Sequence, residues 1–239
     1  MDCQERMKII LNKPIEYEQK DVRWKDVLYT KTNNKKQTIG TSGCGTTSAA
    51  MVIATLRDKK ITPKETSAWS VANGYRTVND GTAWAFFPAI MKKYNIPCKQ
   101  TSNVNEAIEA LKKNYMVITA ASKGIWTTGG HIILAYGLAD NGKKVLIHDP
   151  NSEAAYREIA NISNFKKECV VFWIIQEDWK MEIIDVAIKD KTQNKIFKIK
   201  GVNIDGNNYI KLRDIENFAP VDIGWENNMV TVEINYNKN

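Results

Sequence analysis

The sequence predicts an α+β fold: helices first, one antiparallel sheet after them, and a small β-rich unit at the C-terminal end. Three observations carry that prediction. Apolar residues recur at helical spacing through the first half of the chain; from residue 116 to 175 they fall into short β-branched runs broken by Gly, Asn and Asp; and beyond Trp179 the texture changes again to alternating strands. Helices segregated from an antiparallel sheet define the α+β class.

The elements follow in order. Residues 40–57, GTSGCGTTSAAMVIATLR, open on glycines and continue with small and apolar residues, which predicts a loop feeding a buried helix that starts near Cys44. Thr62 and Glu65 form a capping box with Pro63 at the first helical position, so a second helix runs to about Ala72. A third is expected after Gly81 through TAWAFFPAIMKKYN, and a fourth from near Asn103 as NVNEAIEALKKN, with one apolar face. The strands are MVITAAS at 116–122, HIILAYGL at 131–138, KKVLIHD at 143–149 and CVVFWII at 169–175. The domain division is therefore 1–180 and 181–239. In the second part, EIIDVAIKD, KIFKIKGVNI, a turn at Asp205-Gly206, NYIKLRDIENFA and MVTVEIN read as a small β-rich accessory domain.

Composition narrows the function classes. The chain has 239 residues, 43% hydrophobic and 26% charged, so it can bury one or two cores and is neither low-complexity nor disordered over most of its length. The N-terminus carries an apolar run only at Ile9 to Leu11, too short for a signal peptide, and no stretch approaches the roughly 18 apolar residues of a spanning helix. Cytoplasmic synthesis without membrane insertion is expected. The net charge of +7 is scattered: residues 1–180 hold 26 Lys/Arg against 18 Asp/Glu, residues 181–239 hold 8 against 9, and no basic stripe interleaves with aromatics, which excludes a nucleic-acid partner. Cys3, Cys44, Cys98 and Cys169 form no CxxC pair, which argues against a zinc or thioredoxin-type site; Cys98 and Cys169, in apolar surroundings, read as small buried hydrophobes. No oligomeric state follows from the sequence.

Cys44 is the candidate nucleophile. A thiol of pKa about 8.5 must be lowered to attack a carbonyl at neutral pH, and a helix N-terminus beside an imidazolium does that. Only two histidines are available as the base. His131 follows Gly129-Gly130 at the start of an apolar strand, accessible yet held by the sheet; His148 stands beside Asp149-Pro150 at a strand end. If strands 131–138 and 143–149 pair as a hairpin, Asp149 returns to the level of His131 and can fix its tautomer, while strand alternation turns His148 to the other face in a structural role. The Cys44 amide supplies one oxyanion donor; Gln19 and Gln37 compete for the second, with Gln19 preferred.

QKDVRW, TIGTSGCGTTSAAMVI, TPKETSAW, GGHIILAYG and VLIHDP resemble the C39-like peptidases, relatives of the bacteriocin-leader (double-glycine) peptidases in the papain-like superfamily, over about Gln19 to Trp179. The resemblance implies a papain-like fold, hydrolysis through a thioester, no metal or organic cofactor, and a triad of Cys44, His131 and Asp149. One departure stands out: leader peptidases carry the oxyanion glutamine six residues before the cysteine, where this chain has Thr38. From about Glu182, IDGNNYIKLRDI and GWENNMVTVEI resemble the small repeat at the N-termini of copper amine oxidase-like and other Gram-positive surface proteins.

These readings lead to an expected cysteine hydrolase acting on peptidoglycan, of the phage or bacterial endolysin type, released to the cell wall with its accessory domain docked on a wall polymer. The runner-up is an intracellular or leader-peptide-type protease acting on polypeptides. A non-catalytic binding module ranks third, because both Cys44 and His131 are present.

Overall fold

A computed structural model describes residues 13–79, 81–152, 154–178, 183–190, 195–204, 207–210, 221–226 and 229–234. Cys3 and the turn at Asp205-Gly206 lie outside the described residues. The chain divides into two compact units, Met1–Trp179 and Lys180–Asn239.

In the first unit a short helix α1 (Ile39–Ser42) leads through Gly43 into α2 (Cys44–Leu56). The Thr62 capping box closes as its local sequence dictates, with Glu65 accepting from the Thr62 amide at 2.8 Å, and starts α3 (Pro63–Ala72). Helix α4 (Phe86–Lys93) begins four residues later than the pattern after Gly81 suggests. Thr82 is drawn into a bridge with Arg76, its hydroxyl meets the Tyr29 hydroxyl at 2.7 Å, and the Ala83 amide donates to the Tyr75 carbonyl, so long-range partners claim the groups that a first helical turn would have used. Strand β1 (Cys98–Thr101) precedes α5 (Val104–Lys112), which Asn103 caps by accepting from the Asn105 amide.

The sheet continues with β2 (Tyr115–Ala121), β3 (His131–Ala139), β4 (Lys144–His148), β5 (Ile159–Asn161) and β6 (Cys169–Asp178); short helices α6 (Ala155–Glu158) and α7 (Ile162–Glu168) flank β5. The order is β1-β6-β2-β3-β4-β5, with every pairing antiparallel. This is the α+β arrangement the sequence predicts, with two edge strands it did not reveal.

Both faces of the sheet are covered, which explains why β3 is apolar almost throughout. Ile132, Leu134 and Tyr136 pack with Met51, Val52 and Ile53 of α2 and with Phe86, Phe87, Ile90 and Met91 of α4. Ile133 and Ala135, pointing the other way, pack with Ala107, Ala110 and Leu111 of α5 and with Phe165 of α7. The side of α2 and α4 is sealed by Trp173, whose ring lies 4.0 Å from that of Phe87 between centroids.

Residues 13–19 are tied to the same unit. The Ile15 amide donates to the Thr55 hydroxyl, and His148, fully buried and packed at a tilt against the Tyr136 ring, donates from Nε2 to the Pro14 carbonyl at 3.1 Å while its Nδ1 lies 2.9 Å from a Glu16 oxygen. Burial works against the Glu16 carboxylate, yet His148 and Lys13 outweigh it and hold the group down at about 2. A folded-state value below the ordinary 4.5 means that this stabilisation is full above about pH 4.5 and is lost as pH falls toward 2. Urea-unfolding midpoints of the wild type are therefore expected to drop more steeply across that acid window than those of Glu16→Gln.

In the second unit, β7 (Ile183–Asp190), β8 (Lys195–Ile204) and β9 (Asn207–Ile210) form an antiparallel three-stranded sheet, and β10 (Val221–Glu226) pairs with β11 (Met229–Ile234).

Candidate active site

Cys44 is the first helical residue of α2, so its thiol sits where the helix presents unsatisfied amides and the positive end of its dipole. The glycines on either side are required by close packing. A Cβ at Gly43 would stand 2.5 Å from the Ile39 carbonyl oxygen, and one at Gly45 would stand 2.9 Å from the Thr82 hydroxyl and 3.2 Å from the Phe87 ring. Those two residues let α1 turn sharply into α2 and let α2 settle against α4. Cys44 itself stays partly exposed.

His131 opens β3, opposite Ala121 at the end of β2. Asp149 follows the last residue of β4, and the β3–β4 hairpin returns it to His131, with Asp149 Oδ1 at 2.6 Å from His131 Nε2. Oδ1 also accepts from the Asn151 amide at 3.0 Å, and Oδ2 accepts from Arg157 Nη1 at 3.0 Å. Since Nε2 faces Asp149, Nδ1 is the ring atom left for Cys44, which lines the same cleft as His131. His148 is not part of this run; it anchors the N-terminal segment instead.

The electrostatics of the pair are set by competing causes. Burial pushes the Cys44 thiol up, but the hydrogen bond and charge of His131, with the backbone amides of Ile132 and Gly45, outweigh it and leave the thiol below its ordinary value. For His131, burial disfavours the imidazolium, while Asp149 and Cys44 favour it and lift the group to about 9. The site can therefore hold a thiolate–imidazolium pair from below the ordinary thiol value up to the His131 value of about 9. Cys44-dependent chemistry is expected to follow a bell in pH, rising below the ordinary thiol value of 9.0 and falling near 9 as His131 gives up its proton. Rates of hydrolysis, or of alkylation by the anion iodoacetate, across about pH 5–11 check this. By contrast Cys98 and Cys169 are pushed up to about 12 by burial, as suits small core hydrophobes.

Gln19 and Gln37 part company. Gln19 is buried, its amide N–H donates to the Pro150 carbonyl at 2.7 Å and its side-chain Nε2 to the Gly40 carbonyl at 2.9 Å, which ties it to the turn after Asp149 and to helix α1 ahead of Cys44. Gln37 instead donates to the Val78 carbonyl at 2.6 Å and accepts from the Thr30 hydroxyl, knitting two loops together.

Cys44 and His131 line one open cleft of about 610 Å³ together with Thr41, Ser42, Thr82, Ala120, Ala121 and Gly129-Gly130, and with the exposed Trp84 and Val170. The sequence did not single out Trp84, nor Trp126, Glu168 and Arg157, which hold the loop ahead of His131; none of them sits in a motif. Among the described residues no group of three or more His, Cys, Asp or Glu side chains gathers at metal-binding distance.

The profile of the Peptidase_C39 like family matches residues 24–178. The chain belongs to the Peptidase_C39 like family. It is thus a cysteine peptidase with the papain-like arrangement of helices and antiparallel sheet. Among solved structures, the peptidase domain of Streptococcus ComA, described as a bifunctional ABC transporter involved in a quorum sensing pathway, is similar at 17% identity and a TM-score of 0.40, over 57% of this chain and 93% of that one. No curated protein matches the chain significantly. Within this C39-like unit the matched segment holds Cys44, His131 and Asp149, while Gln19 lies just ahead of it.

Proposed function

We propose that this C39-like chain is an endopeptidase that cleaves peptide bonds of a polypeptide, with Cys44 as nucleophile, His131 as acid and base, Asp149 as the group that orients His131, and Gln19 as an oxyanion donor. The observation that carries the reading is that Cys44 and His131 line one open cleft, with Asp149 Oδ1 2.6 Å behind His131 Nε2. In this scheme the Cys44 thiolate attacks the scissile carbonyl carbon. The oxyanion is met by the Cys44 amide and by the second Nε2 hydrogen of Gln19. His131 Nδ1 passes its proton to the departing amine, leaving a thioester; the neutral imidazole then takes a proton from water, whose oxygen attacks the thioester and releases the acid and the Cys44 thiolate.

A second reading keeps the chemistry and changes the substrate to peptidoglycan peptides, with the enzyme working at the bacterial wall after release. It is favoured by the separate unit from Lys180 onward, which offers a place to dock on a wall polymer. Family membership favours the polypeptide. Purified protein and Cys44→Ala, incubated in parallel with casein, a panel of extended peptides and Gram-positive sacculi, separate the two. New termini in polypeptides with the wild type alone support the first reading, sacculus clearing without polypeptide cleavage replaces it with the second, and no cleavage of either by a protein whose Cys44 alkylates no faster than an ordinary thiol sinks both.

A further inference from the structure

His131 is reached through a loop, residues 122–130, that joins β2 to β3. The loop is bracketed from both sides. The Glu168 main-chain carbonyl accepts from the Ser122 amide at 2.8 Å and from its hydroxyl at 2.9 Å, and the Glu168 carboxylate, itself buried, accepts from the Ile125 amide at 2.8 Å. Across the loop, Arg157 on α6 donates from Nε to the Ile125 carbonyl at 3.0 Å and from Nη2 to the Trp126 carbonyl at 2.8 Å, while the buried Trp126 indole returns a hydrogen bond to the Arg157 carbonyl at 3.0 Å. The remaining arm of the same guanidinium, Nη1, meets Asp149 Oδ2 at 3.0 Å, on the carboxylate whose other oxygen holds His131.

We propose that Arg157 is a positioning residue of this site: one rigid guanidinium fixes the carboxylate that orients His131 and the loop that delivers it, and its charge offsets that of Asp149 within the buried pair. The inference rests on the proposed roles of Cys44, His131 and Asp149. A planar fork with donors in fixed directions suits this task, because three acceptors on two separate segments are locked in one geometry, which a lysine cannot reproduce. Near-attack geometry is sensitive to displacements of about 1 Å, so a loosened loop costs turnover more than binding.

The charged groups around His131 are Cys44 from α2 and Asp149 after β4 in direct contact, Arg157 through Asp149, Glu168 on the far side of the loop, and the Glu16–His148 pair beside Asp149 in the chain. With Arg157 removed, the Asp149 charge acts on the imidazolium without its offset, so the proton on His131 is held more tightly. Loss of the cation raises the His131 midpoint; loss of mere structural support leaves the midpoint of a folded protein where it was.

The experiment uses the full chain as wild type, Arg157→Met and Arg157→Lys. With only two histidines in the sequence, ring-proton NMR titration resolves His131 from His148, assigned by the signal lost in His131→Asn. Alkylation of Cys44 by iodoacetate, an anion drawn by the imidazolium, gives the same midpoint kinetically. For Arg157→Met the His131 midpoint is expected to rise by about 1 pH unit, and peptide turnover to fall about 10- to 100-fold with KM within about twofold. For Arg157→Lys, which keeps the charge and loses the fork, the midpoint should return to the wild-type value while turnover stays depressed.

A His131 midpoint that is unchanged or lower in folded Arg157→Met overturns the proposal. Should that variant fail to fold, Arg157→Lys with wild-type turnover overturns it instead. Neither titration nor alkylation needs a substrate, so the two readings fail separately. A wild-type His131 titrating near its ordinary 6.5 removes the ion pair and the proposed function with it; an intact wild-type pair that ignores Arg157 removes only this inference.

Discussion

Replacing Cys44 by alanine is expected to lower peptide-bond hydrolysis at least about 10⁴-fold while the protein stays folded. Loss of a nucleophile removes the covalent route altogether and leaves only substrate binding and oxyanion stabilisation, the residual seen when one member of a triad is deleted. The fold should tolerate the change. Cys44 begins a helix whose neighbours Gly43 and Gly45 make the tight contacts, its own side chain is only partly buried, and alanine is a good helix former. Thermal denaturation should therefore shift little. The same variant identifies the reactive thiol: among the described cysteines, rapid alkylation at neutral pH should belong to Cys44 alone, because Cys98 and Cys169 lie in apolar surroundings that push both thiols up to about 12. A variant that still hydrolyses peptides at the wild-type rate would remove Cys44 from the chemistry.

What could be read from the chain alone was local or set by one simple pairing. The Thr62-Pro63-Glu65 start of α3 and the Asn103 cap of α5 depend on residues two or three apart, so the sequence states them outright. The partnership of His131 with Asp149 needed only that two apolar strands close as a hairpin, which the turn between them dictates. Features built from distant partners stayed hidden. The start of α4 moved because Thr82 and Ala83 answer to Tyr29 and Tyr75. Strand β1, CKQT, has no apolar alternation, because it is an edge strand held by backbone pairing to β6. Gly43 and Gly45 were legible as glycines beside a cysteine, but what fills their missing side chains, Ile39, Thr82 and Phe87, comes from the packing of α1, α2 and α4. Arg157 was the least legible of all: two of its three acceptors are main-chain carbonyls, which carry no signature in the side-chain sequence.

The second large effect belongs to Asp149. Asp149→Asn keeps the shape of the side chain and removes its charge. Turnover is expected to fall by about 10³- to 10⁴-fold, the scale found when an asparagine replaces the aspartate behind a catalytic histidine. The cause can be followed atom by atom. His131 is buried, and burial alone would hold its pKa below the ordinary 6.5; Asp149 and Cys44 are what lift it to about 9. Without the carboxylate the imidazolium loses one of its two counter-charges, so its pKa must fall, and the Cys44 thiol, which depends on that imidazolium to overcome its own burial, must rise. The window in which the ion pair exists narrows from both sides. Iodoacetamide labelling of Cys44 at pH 7 should slow accordingly, and the bell in pH should flatten. Arg157 is also left facing a neutral amide from a position that is mostly buried, so some stability should go as well. Activity and thiol reactivity that fall together identify Asp149 as the group that tunes the pair through His131. A loss of stability with the His131 midpoint still near 9 would instead confine Asp149 to holding Arg157 and the loop it grips.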